Sequence, residues 1–155
     1  MNVMPLFSHG FFPIISLLLL ILLSVSIATP ADVPTTRIAM YMVGSDLESE
    51  SHLGSAEIKE ILSGLSGDSR HIDLQIAFGG ARSMGWSGMT IADKEDLQDD
   101  YRDGVIGNGH YAFRDTSMNM GDTKGLTTFV EYLNDLPASD RNIFIFWDHG
   151  ASLAG

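Results

Sequence analysis

His149 stands where a proton-transfer group would be most useful. It follows the apolar run Ile143-Phe144-Ile145-Phe146-Trp147 and a single carboxylate, Asp148, and it precedes Gly150. A ring at the carboxyl end of a buried strand is held rigidly. Its ordinary pKa of about 6.5 lets it exchange protons at neutral pH. Gly150 lets backbone and substrate come close. The other histidines are weaker candidates: His52 and His71 fall at the starts of a predicted helix and a predicted strand, and His110 lies in a glycine-rich stretch. No histidine pair has zinc-ligand spacing. The segment Gly85-Trp86-Ser87-Gly88-Met89 lacks the closing glycine of a serine-hydrolase elbow and follows no buried strand. Neither a P-loop nor a dinucleotide fingerprint occurs, and no cofactor is expected. Cysteine is absent, which removes disulfides, thiolate metal sites and a thiol nucleophile from this chain. Asp93, Glu95, Asp96, Asp99, Asp100 and Asp103 crowd together and offer oxygen ligands of the kind calcium takes. They lack the EF-hand register, so a solvated acidic loop is the plainer expectation.

The elements that would carry His149 read as an α/β pattern. Residues 37–43 form an apolar run ended by Gly44, a buried strand, with Ser45 and Asp46 as candidate N-caps and Glu48 early in the next segment. Leu53, Ala56, Ile58, Ile61, Leu62 and Leu65 predict a helix over residues 51–65, and residues 71–78 alternate as a second strand. The insert at 81–117 is glycine-punctuated, with short hairpin strands expected at 88–92 and 111–114. Asp122 precedes a helix over 123–136, with Leu126, Phe129, Val130 and Leu133 facing the core and Pro137 stopping it. Residues 143–147 make the third buried strand. Strands separated by helices imply parallel crossovers, and ligand sites of such sheets lie beyond the carboxyl ends of the strands, where His149 falls.

The 155 residues suit one domain, and their net charge of −11 argues against nucleic acid or an anionic lipid surface as partner. The first charge is Asp32, and residues 11–28 are almost continuously apolar. That pattern is a secretory signal peptide over 1–28, with Ser26-Ile27-Ala28 as the cleavage site and a linker over 29–36. The expectation is a secreted or periplasmic protein. An uncleaved membrane anchor is the alternative, since about 18 apolar residues nearly span hydrocarbon.

Three blocks carry a family resemblance. Tyr41-Met42-Val43-Gly44-Ser45-Asp46-Leu47-Glu48 resembles the first-strand motif of the clostripain family of cysteine peptidases. Asn119-Met120-Gly121-Asp122 with Leu126 and Phe129 is similar to that family's entry into its second main helix. Trp147-Asp148-His149-Gly150 resembles its catalytic-histidine motif. The resemblance spans residues 37–155. It implies a caspase-like three-layer α/β sandwich with a mostly parallel sheet, incomplete in this chain. It makes His149 the catalytic histidine and Gly150 a backbone N–H donor to the oxyanion, the kind of donor whose loss costs about 3–4 kcal/mol. The family's nucleophilic cysteine, and the acidic residue that sets preference for a basic side chain, belong to the next strand, beyond Gly155. The expected function is therefore the amino-terminal part of an exported cysteine endopeptidase, inactive alone, whose full-length form acts on proteins or peptides. The alternative is a non-catalytic, acidic, exported binding or remnant domain of the same fold. Strand 143–147 would lie open at a sheet edge, so the isolated chain is expected to self-associate.

Overall fold

A computed structural model describes residues 33–149; the leader at 1–28, its cleavage sites and Gly150 lie outside the described residues. Alternation along the first strand sets the architecture. In β1 (Thr36–Val43), Met40 and Met42 point to one face of the sheet while Ala39 and Tyr41 point to the other, and all four are buried. A strand covered on both faces reads as a continuous apolar run, because neither face meets water.

Helix α1 (Ser45–Ser51) and helix α2 (Leu53–Gly64) follow, then strand β2 (Ile72–Gly79). The insert contributes strand β3 (Met89–Asp93), helix α3 (Lys94–Asp103) and strand β4 (Phe113–Asp115). Helix α4 (Thr123–Asp135) leads into strand β5 (Arg141–Trp147). The described strands form one sheet in the order β4-β3-β2-β1-β5. Strand β1 pairs in parallel with β2 and β5, and the hairpin strands β3 and β4 extend the sheet antiparallel beyond β2. Ile58, Leu62, Phe78, Trp86 and Leu97 pack with Met40 and Met42 on one face. Phe129 of α4 packs with Ala39, Tyr41, Ala77 and Ile91 on the other. The result is an α/β three-layer sandwich.

Several expectations are corrected. The helix expected over 51–65 is α2, Leu53–Gly64, but a further short helix, α1, precedes it, the two being separated at His52, whose φ of 54° is left-handed. Ser45 and Asp46 do not cap; they lie in the first turn of α1, after Gly44. The acidic run is not a solvated loop but α3, because Asp93 Oδ1 accepts the Asp96 N–H at 2.9 Å and Leu97 and Asp100 are buried. Asp100 then accepts the Gly107 N–H at 2.6 Å and the Tyr111 hydroxyl, tying the insert to the helix. Finally, β5 lies at the open sheet edge expected of residues 143–147 and is not buried as its apolar run alone suggests. Among the described residues it pairs only with β1, leaving Ile143, Phe144 and Phe146 at 48%, 40% and 67% exposure. Val130, expected in the core, is 40% exposed for the same reason: it lies on the flank of α4 toward that open edge.

Candidate active site

Strands β1 and β5 run side by side with Met42 opposite Trp147, so the chain leaves both at the same edge of the sheet. After β1 it turns through Gly44 into α1, and after β5 it continues as Asp148-His149. The turn is tight, with Ser45 at a φ of 41°, a region that residues with side chains rarely adopt. It brings Asp46 within reach of the histidine: Asp46 Oδ1 lies 2.5 Å from His149 Nε2. Ser45 Oγ is 3.0 Å from the same nitrogen and 3.0 Å from Asp46 Oδ1. The His149 backbone N–H donates to Asp148 Oδ1 at 2.7 Å.

These contacts assign the ring. An ionised carboxylate only accepts, so the proton of the neutral imidazole sits on Nε2 and is donated to Asp46. Ser45 Oγ gives its own proton to the same carboxylate oxygen. The lone pair of the neutral ring is then on Nδ1, the nitrogen free to take a proton. The hydrogen bond from His149, followed by that from Ser45, holds the Asp46 carboxyl below the usual carboxylate range. Both side chains are substantially open to solvent, at 47% and 61%, so the pair orients the ring more than it stabilises the fold.

Two cavities flank this edge. A polar one of about 350 Å³ is lined by Ser45, Asp46, Ser49, Glu50, Gly80 and Arg82. An apolar one of about 380 Å³ opens on the α4 face between Val43, Leu126, Phe146 and Asp148. A further cavity of about 420 Å³ lies toward the opposite end of β1 beside Arg37, Leu133 and Phe144, and touches none of these groups. Among the described residues no group of three or more His, Asp or Glu side chains could hold a metal ion.

His149 thus occupies the strand-end position expected of it. The partners Asp46 and Ser45 were missed as site residues, read only as caps. The available signal was their place directly after β1, at the edge where parallel sheets build sites. His52, with Nδ1 at 3.5 Å from Glu48 Oε1, sits at the α1–α2 break, while His71 and His110 stand in loops of their own. None of them joins His149.

A family-wide sequence profile described as the clostripain family matches residues 40–155. Among solved structures, a chain of a B. fragilis cysteine protease superposes with a TM-score of 0.58 at 16% identity, over 79% of this chain and 95% of that one. At that identity the likeness shows the fold, a caspase-like sandwich. No curated protein matches the sequence. The profile covers the end of β1, the helices and strands after it, and the segment carrying His149: the chain belongs to the clostripain family.

Proposed function

We propose that this chain supplies the histidine half of an exported cysteine endopeptidase, with His149 as the proton-transfer group and Asp46 as its orienting partner. The observation that supports this reading is the 2.5 Å contact between Asp46 Oδ1 and His149 Nε2, at the carboxyl edge of a parallel sheet. It leaves Nδ1 as the basic nitrogen. The chain contains no cysteine, so the thiol comes from outside these 155 residues. His149 Nδ1 takes the thiol proton, and the thiolate attacks the scissile carbonyl. The backbone N–H of Gly150, by family resemblance, steadies the oxyanion. The imidazolium then returns its proton to the leaving amine, and water drawn against the same nitrogen releases the acyl group. Proteins or peptides are the substrates, and the leader at 1–28 directs export, with cleavage after Ala28.

Purified chain should leave arginyl and lysyl amide substrates uncut, with iodoacetamide changing nothing, because the thiolate is the nucleophile of this chemistry. Turnover that survives repurification and disappears in His149→Ala would overturn the reading. The reading frame downstream of the Gly155 codon tests it from the other side. A continuing frame with a cysteine after another apolar run supports the peptidase, and His149→Ala in that longer product should lower kcat/KM by about 10²–10⁴-fold. A stop codon there, with a secreted cysteine-free product, supports instead a non-catalytic binding domain, the reading favoured by the cysteine count alone. Amino-terminal sequencing of the exported fraction tests the leader; an intact Met1 in washed membranes would indicate an anchor.

A further inference from the structure

Helix α1 is seven residues long and too short to hold its own direction. Something else must aim Asp46. Glu48, two residues further on, is a carboxylate at 1% exposure, and burying such a group is costly without strong partners. Its nearest basic group is His52 Nδ1 at 3.5 Å, on a side chain that is itself 74% exposed. Its firm partners belong to one residue. Glu48 Oε2 accepts the Ser55 backbone N–H and Oε1 accepts the Ser55 hydroxyl, each at 2.8 Å. Ser55 N–H is one of the orphan donors in the first turn of α2, a helix whose own N-cap, His52, offers no side-chain acceptor. Ser55 Oγ in turn accepts the indole N–H of Trp86 at 3.2 Å.

Trp86 is fully buried and lies beneath the turn that carries Asp46. A Cβ on Gly44 would meet its Cε3 at 2.8 Å, and one on Gly54 would meet its Cη2 at 2.5 Å. Only glycine lets both backbones sit this close to the ring. The loop after β2 adds two more ties to α1. Ser83 Oγ donates to the Glu48 carbonyl at 3.0 Å, and the Arg82 N–H donates to Ser49 Oγ, which donates to the Ser45 carbonyl at 2.6 Å. A leucine at position 48 would fill the same space and direct nothing.

We propose that the buried Trp86–Ser55–Glu48 network is a positioning device for the site: it fixes the Gly44–Ser45–Asp46 turn and so keeps Asp46 on His149 Nε2. The proposal rests on the reading of His149 and Asp46 as the working pair. None of the three network residues touches the reacting groups; they act through the turn.

The test is nitrogen and carbon NMR on the full chain, reading the His149 ring tautomer and the Asp46 carboxyl titration. Wild type should show the Nε2–H tautomer in excess and an Asp46 midpoint below the ordinary value of about 3.9. In Ser55→Ala and Glu48→Gln the excess should fall several-fold toward that of an Asp46→Asn control, and the Asp46 midpoint should rise toward the ordinary value. Ser55→Thr, which keeps the hydroxyl, should restore both. Ser55→Ala removes one oxygen only, so it serves if Glu48→Gln fails to fold. A cooperatively melting Ser55→Ala with unchanged tautomer and midpoint overturns the network. A His149 ring unaffected by Asp46→Asn overturns the pair itself, and with it the function it supports.

Discussion

Gly54 and Gly64 lie in the same helix and differ in what a methyl group would meet, which makes α2 its own control. At Gly64 nothing stands within 4 Å of an added Cβ. Replacement by alanine there should be neutral or gain up to about 1 kcal/mol, the helix-propensity difference. At Gly54 the same gain is available, but the new Cβ would sit 2.5, 3.0 and 3.1 Å from three atoms of the Trp86 ring. The ring has nowhere to withdraw. It is fully buried, packs edge-on against Phe78 with centroids 5.0 Å apart, and already touches the backbone at Gly44. Overpacking of a rigid core costs about 1–3 kcal/mol, and a contact this short belongs at the upper end. Subtracting the propensity gain leaves Gly54→Ala destabilised by about 1–2 kcal/mol, so the two variants should differ by about 2–3 kcal/mol. Urea denaturation at unchanged m-value measures the difference directly. At about 4 °C per kcal/mol for a domain of this size, Gly54→Ala should melt about 4–8 °C below wild type. A Gly54→Ala protein as stable as Gly64→Ala would refute the tight seat assigned to Trp86.

Further expectations concern charge and the sheet edge. Hydrogen bonds hold Asp115 below the usual carboxylate range through Ser117, Asp68 through Arg70, and Asp46 through His149. Their contribution is complete above the unfolded pKa of about 3.9 and is lost as pH falls through the lower folded values, so Asp115→Asn should flatten the acid limb of a urea-midpoint profile. Burial, and then the hydrogen bond to Asp100, push the Tyr111 hydroxyl up. That contribution is complete below about pH 10 and is lost as pH rises toward the folded value, so Tyr111→Phe should remove part of the alkaline loss. Phe146, at 67% exposure on the open edge, should tolerate lysine. Light scattering should then show the chain moving from oligomer toward monomer, and an unchanged mass would place self-association elsewhere.

Strands β1 and β5 were legible from their apolar runs and β2 from its alternation, and the three-layer arrangement followed from their separation by helices. What was not legible depended on contacts between distant residues. The break at His52 exists because Glu48 satisfies the first turn of α2 from the preceding helix, an arrangement no local pattern announces. Helix α3 has Leu97 and Tyr101 as its only large apolar residues, so the periodicity that reveals most helices is nearly absent. Its end signals were nevertheless present: Asp93 as N-cap, Glu95 and Asp96 in the first turn, Arg102 in the last and Gly104 after it. His149 was found because one strand aims it. Asp46 was not, because its role needs β1 and β5 to be neighbours, and 103 positions separate the two residues.

The strand made first is the one whose flanks are completed last. β1 takes β2 on one side soon after synthesis, but its other side waits for β5, with Trp147 paired to Met42 across 105 positions. At about 5–20 residues per second that interval is about 5–20 s. Until then a nascent chain that has paired β1 with β2 keeps an unsatisfied row of backbone donors and acceptors along the other side of β1. Closing so distant a pair is entropically slow. Protection of the nascent chain, as by a bound chaperone, therefore matters most before residue 147 has appeared.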